Sequence, residues 1–275
     1  MTSVAEFMSA ASATVNSNTP WGARYAAELR RVVVGAAARA PRQIQTQLGP
    51  SELGVLCDWQ VVGKMAGLSA TNHVADPWPS IVGTAVHAWL AEAFAAENAR
   101  TGTPRWVAEQ RVYPNDEHPG IADLYDGFKE ALTDHKVLGA TTHTKIRSAG
   151  PPRKYRVQML LYARGYRRLG LPVKRIVLAA WPRTGSSLDG LFVWEHEITA
   201  EDERLLDEVL DRTRVRKSVA ELVAAGKVSM TDVPRHPEDD ECYFCPFYRP
   251  ESARDGGNGC PGTVITNSLQ KGQFA

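Results

Sequence analysis

Apolar residues recur along much of this chain at helical spacing, and the places where that spacing breaks off mark out its elements. Between Trp21 and Arg39, the residues Tyr25, Leu29, Val32 and Val33 fall at roughly helical spacing, which predicts a helix after a start rich in Ser, Thr, Ala and Asn. Ser51 reads as the N-cap of a second helix, Glu52 to Ala66, carrying Leu53, Leu56 and the Cys57 thiol on adjoining positions. From Ser80 to Asn98, Ile81, Val82, Ala85, Val86, Trp89, Leu90 and Phe94 repeat with the helical period and predict a mostly buried helix, with His87 inside it.

The pattern then turns to short β-type stretches, Arg105 to Tyr113, Gly120 to Asp126 and Ala131 to Val137, divided by Pro, Asn and Gly turn signals. They read as a meander. A loop at 148–152 leads into a helix from Arg153 to Leu169, closed by Gly170 and Pro172. Two more strands follow, Lys174 to Trp181 and Leu191 to Ile198, and then a helix opened by a Thr199 and Asp202 capping box. Past about residue 230, Pro, Gly, Asp and Cys dominate, and such a segment needs a staple to become ordered. The expected organisation is an extension with a helix over 1–50, an α/β core with a mixed central sheet over 51–236, and a cysteine-bearing segment with a tail over 237–275.

Composition narrows the picture. With 275 residues, 43% of them hydrophobic, the chain has material for a real core. Its formal net charge of +1 gives no global field toward a polyanion, so contact with nucleic acid would need a local patch. No apolar run reaches the ~18 residues needed to span a bilayer, and the start lacks the basic, then apolar, layout of a secretory signal. A cytoplasmic protein without membrane partners is expected. There thiols stay reduced, so Cys57, Cys242, Cys245 and Cys260 read as metal or cluster ligands rather than disulfide partners.

Candidate chemistry lies in GIADLYDGFKEALTDHKV, where Asp123 sits in one strand and Asp134 and Lys136 in the next. Alternation places Asp134 and Lys136 on one face, with His135 opposite. Two carboxylates brought together repel each other unless a divalent cation lies between them, and oxygen donors suit Mg²⁺ or Mn²⁺. Lys136 would then orient the attacking water or stabilise the developing negative charge. A bare D-x-K occurs about once by chance in a chain of this length, and taken alone it reads as a solvated strand face.

The surrounding residues resemble the RecB-like branch of the PD-(D/E)XK nuclease superfamily. GTAVHAWL supplies a His before the strands, Gly120 to Asp123 matches a G-x-x-D element, Asp134 to Lys136 matches D-x-K, and Gln158 with Tyr162 matches the Q-x-x-x-Y helix. The Pro usual before the first Asp is missing. The resemblance implies a restriction-endonuclease-like core and a metal-dependent DNA exonuclease. It further implies metal ligation by His87, Asp123, Asp134 and the His135 backbone carbonyl, with Lys136 as the catalytic lysine beside Asp123 and Asp134. Glu109 is a weaker candidate for the same site, explained equally by a surface salt bridge.

From Lys145 to Arg168 eight basic residues, among them Arg153, Lys154 and Arg156, occur without an acidic one, interleaved with Tyr155, Tyr162 and Tyr166. Such a stretch can neutralise phosphates and stack bases, or can form an ordinary cationic face with tyrosines in the core. Gln158 and Tyr162 lie one turn apart, as a paired DNA contact requires.

Cys242 and Cys245 form a C-x-x-C, Cys260 follows, and Cys57 stands far upstream, a one-plus-three split that suits a zinc ribbon poorly. It resembles the iron–sulfur nucleases, including CRISPR-associated protein family four and the AddB type, and so implies a [4Fe–4S] cluster on these four cysteines. The gap between Cys245 and Cys260 is longer than usual there. The functional expectation is hydrolysis of DNA, on single strands or at free ends, in recombination, repair or phage DNA metabolism. The competing readings are a non-cleaving DNA-binding or adaptor protein on the same scaffold, and a zinc-stapled hydrolase of another phosphodiester.

Overall fold

The computed structural model describes residues 20–39, 48–72, 76–236, 239–252 and 259–262. The remainder of the expected N-terminal extension and the last residues of the tail lie outside the described residues. The chain divides into two units, Met1–Gln45 and Thr46–Ala275. In the first, helix α1 (Pro20–Ala38) forms where the spacing predicts it, with Trp21 and Tyr25 stacked at 5.1 Å and none of its residues buried.

The second unit holds a five-stranded mixed sheet in the order β1 (Trp106–Val112), β2 (Gly120–Asp126), β3 (Ala131–Leu138), β4 (Arg175–Pro182), β5 (Phe192–Glu197). Strands β1 to β3 form the expected antiparallel meander, and β5 runs antiparallel to β4. β3 and β4 are parallel, which requires a crossover, and the chain makes it through α5 (Ala140–Ala149) and α6 (Arg153–Arg168). The expected mixed α/β sheet is therefore present. Helix α5, ATTHTKIRSA, has no counterpart in the apolar periodicity because only His143 and Ile146 of it are buried.

The core packs α6 against the sheet: Val157, Leu160, Leu161, Tyr162, Ala163 and Tyr166 meet Val112, Leu132, Ile176 and Leu178. Each such side chain removed from water contributes roughly 1.5–3 kcal/mol, which makes this the anchor of the fold. Helix α7 (Ala200–Ala224) opens on the predicted capping box, with Thr199 and Asp202 bonding reciprocally.

Two expectations are corrected. The helix expected from Glu52 to Ala66 is broken into α2 (Pro50–Leu53) and α3 (Asp58–Met65), so Cys57 is the N-cap of α3 rather than an interior residue. Gly54 lies at the break, where a β-carbon would come within 2.7 Å of the Lys154 backbone, so close contact with α6 replaces a continuous helix. Helix α4 (Trp78–Thr101), expected to be mostly buried, buries only Leu90, and Trp89 is 65% exposed. Its apolar residues circle the helix, while the sheet covers one side.

No described helix is long and apolar enough to cross a membrane.

Candidate active site and cysteine cavity

The sheet forks at the candidate site. Pairing of β2 with β3 runs through Asp126↔Ala131, Tyr125↔Leu132 and Leu124↔Thr133, and ends there. Below that point β2 continues alongside β1 as far as Gly120, and β3 continues alongside β4 as far as Leu138. Asp123 and Asp134 are the first residues past the last pair. The His135 N–H that the ladder leaves over donates to Asp123 Oδ2 at 2.7 Å, so a carboxylate takes the place of a strand partner.

Helix α4 brings His87 to the fork, with Nδ1 3.5 Å from Asp123 Oδ1. From the other neighbouring strand comes Glu109, which β1–β2 pairing skips between Ala108↔Leu124 and Gln110↔Ala122. Its φ is +51°, a left-handed conformation costly for a side chain of this kind, and the kink directs the carboxylate to Asp123. Ligand atoms of His87, Glu109 and Asp123 all lie within 4.8 Å of one another. Glu109, the weaker candidate in the sequence, thus joins the cluster. The signal for it was available in the register, since Glu109 falls opposite Asp123 when the two strands are aligned.

Asp134 is 1% exposed and contacts the Lys136 ammonium, 2.6 Å from Oδ2. Neither Asp134 oxygen has a well-formed hydrogen bond among the described residues. Lys136 also reaches Gln158 Oε1 at 3.3 Å and lies 4.8 Å from the centre of the Tyr155 ring. Gln158 in turn donates to the Tyr162 hydroxyl at 3.4 Å, so the residue pair one turn apart on α6 backs the lysine. Gly120 makes this approach possible, because a β-carbon there would lie 2.6 Å from the Tyr162 ring and 2.8 Å from Pro50.

The charges are strongly coupled. Burial pushes the Asp134 carboxyl up to about 6, against the pull of Lys136 and with the added repulsion of Asp123. Burial also works against ionisation of Asp123, yet the His87 ring, Lys136 and the His135 N–H hold its carboxyl below the usual range. The hydrogen bond to Asp123 raises His87, opposed by burial. Lys136 is penalised by burial, and the Asp134 and Asp123 carboxylates outweigh that penalty and hold it above an ordinary lysine. The His135 ring lies edge-on to His87 at 6.0 Å, with Phe94 stacked parallel to it at 6.0 Å and Trp181 donating to its Nδ1 at 3.3 Å, and burial lowers it to about 4, keeping the ring neutral.

Most of the basic stretch is not a free cationic face. Arg153 donates to the Gly54 carbonyl, Arg156 lies 3.7 Å from Asp202, Arg164 pairs with Glu203 and Asp207, Arg167 with Glu203, and Arg168 with Asp116. The acidic partners come mainly from α7, a different part of the sequence, which explains why the local composition suggested unpaired charge. Lys154 sits near the Tyr155 ring at 5.8 Å.

Cys57, Cys242, Cys245 and Cys260 line one cavity, with Arg235, His236 and Tyr248. Cys245 and Cys260 are buried with Trp59, Val62 and Phe247 in a small core of their own. Burial pushes the Cys245 thiol up to about 12, reinforced by the other three cysteines, and burial raises Cys260 as well. Burial is thus the main influence on the two innermost of the four thiols that line this cavity.

No family model matches the chain, and no curated protein does. Among solved structures, it is similar to an alkaline exonuclease from Laribacter hongkongensis, 14% identical, covering 66% of this chain and 95% of that chain with a TM-score of 0.42. A second crystal of that enzyme, in complex with dAMP, is 15% identical over 66% of this chain and 95% of that one, TM-score 0.41. A phage-related exonuclease from Haemophilus somnus 129PT is 12% identical, covering 66% of this chain and 96% of its own length, TM-score 0.45. Similarity this loose leaves the chemistry to be argued from the residues of the chain itself.

Proposed function

We propose that this chain is a metal-dependent deoxyribonuclease that hydrolyses phosphodiester bonds of DNA, working from free, single-stranded ends. The observation that carries this reading is the fork in the sheet, which gathers His87, Glu109 and Asp123 and sets beside them a buried Asp134 paired with Lys136. Imidazole with carboxylates suits Mg²⁺ or Mn²⁺, and the under-partnered Asp134 oxygens fit a cation as well. His87, Asp123 and Asp134 would hold the ion with the His135 backbone carbonyl, and Glu109 is placed to join them. A bound divalent cation supplies Lewis-acid polarisation of the scissile phosphate.

The chain's own groups do the rest. Lys136, kept protonated by its two carboxylates, places a fixed positive charge where negative charge develops on the phosphate. Gln158, itself bonded to Tyr162, holds that ammonium from behind, and Lys154 lies on the same helix as a candidate contact to the DNA backbone. Arg153 and Arg156 would act on DNA only by giving up their present partners.

On the cysteine cavity the reading is a [4Fe–4S] cluster with a structural role, joining the start of α3 to the segment after α7. The decisive experiment is digestion of end-labelled single- and double-stranded DNA with Mg²⁺ or Mn²⁺, alongside iron and sulfide analysis of anaerobically purified protein. Metal-dependent shortening from the ends, abolished by Asp134→Ala, is expected. Full activity in Asp134→Ala, or DNA binding without cleavage in either metal, overturns the catalytic reading, and a colourless protein containing zinc overturns the cluster.

A further inference from the structure

We propose that Tyr155 is a positioning residue for Lys136, its ring face fixing the direction of the ammonium without consuming one of its protons. This rests on the nuclease reading above and adds a residue that the motifs do not contain. Tyr155 lies one turn before Gln158 on α6, half-buried and packed against the main core, with its ring centre 4.8 Å from Lys136 Nζ. Asp134 Oδ2 and Gln158 Oε1 stand at 2.6 and 3.3 Å from the same nitrogen.

An ammonium has three donors. One is directed to Gln158 and the charge is paired with Asp134, which leaves a proton for a phosphate oxygen. A polar third neighbour would compete for that proton, whereas the negative face of an aromatic ring attracts the charge as a whole and leaves the N–H available. A lysine stem is long and has rotamer entropy to lose, so a wall that removes the alternatives in advance favours the productive geometry. Tyr155 thereby acts through Lys136 and has no need to touch the substrate.

The test replaces Tyr155 by Phe, by Leu and by a series of progressively fluorinated phenylalanines of nearly constant shape, in the full-length, metal-loaded protein. Tyr155→Phe should keep kcat near wild type. Tyr155→Leu should lower kcat about 2- to 30-fold, the range a lost cation–π contact spans, with KM for DNA little changed. Along the fluorinated series log kcat should fall stepwise as the ring face loses negative potential, which a merely space-filling ring would not produce, and these isosteres serve should the Leu variant fold poorly. A flat series, or a change confined to KM, in an otherwise active nuclease overturns the role of Tyr155 alone. A wild-type protein that cuts no DNA overturns the nuclease reading and this role with it.

Discussion

The carboxylate of Asp123 and the backbone of His135 are joined by a hydrogen bond of 2.7 Å that stands where a strand-to-strand bond would otherwise be. One side chain therefore serves both the fold and the chemistry, and the two duties can be separated. In Asp123→Asn the amide oxygen can still accept from the His135 N–H, so the unfolding midpoint should move little. Loss of the negative charge should cut metal-dependent cleavage by about 100-fold or more and weaken Mn²⁺ binding, read by digestion rates and calorimetry. Wild-type cleavage by this variant would contradict the assignment.

Glu109 carries a strained backbone beside a second carboxylate. Asparagine tolerates the left-handed conformation and carries no charge. Glu109→Asn is expected to stabilise the metal-free protein by up to about 1 kcal/mol and to weaken Mn²⁺ binding about tenfold or more. Denaturant unfolding and metal titration of the same preparation check the two opposite signs.

Asp58 accepts from both Arg212 and Arg216, and Arg216 also donates to the Val55 and Leu56 carbonyls, tying α3 to α7 beside the cysteine cavity. Burial opposes ionisation of Asp58, and the two guanidinium groups overcome it and hold the carboxyl below its usual range. A depressed carboxyl contributes stability that is complete above the ordinary carboxylate range and is lost as pH falls through the folded-state value. Asp58→Asn should therefore destabilise the protein near neutral pH, by about 1–2 kcal/mol for the weakened charge-assisted hydrogen bonds, a penalty that shrinks as the pH drops below about 4. Urea unfolding of both proteins across that window measures it.

Gly120 should resist replacement for a steric reason. Gly120→Ala sets a methyl against Tyr162 and Pro50 and should destabilise by about 1–3 kcal/mol. Because Tyr162 backs Gln158, which in turn backs Lys136, cleavage should fall beyond what stability explains, and rates measured well below the unfolding temperature separate the two effects.

Much of the scaffold was legible in the sequence because each element announces itself locally. Pro, Asn and Gly turn signals around β-type stretches marked the three meander strands, and the Thr199 and Asp202 pair marked the start of α7. What stayed hidden depends on distant partners. The ion pairs of Arg164 and Arg167 come from α7, the break at Gly54 comes from the approach of α6, and the exposure of Trp89 follows from how little of α4 the sheet covers. The weight of Glu109 needed strand register as well as spacing. At Asp134 and Lys136, alternation alone put the two side chains on one face, where the structure has them in contact.

Long-range ties hold the end of the described chain to its early helices. Trp59 donates to the Pro234 carbonyl, and Thr71 and Asn72 bond to carbonyls of Tyr243, Cys245, Pro246 and Phe247. A proteolytic nick at the exposed turn after Arg183 would therefore yield two fragments that travel together through gel filtration. The break would show only when the pieces are denatured.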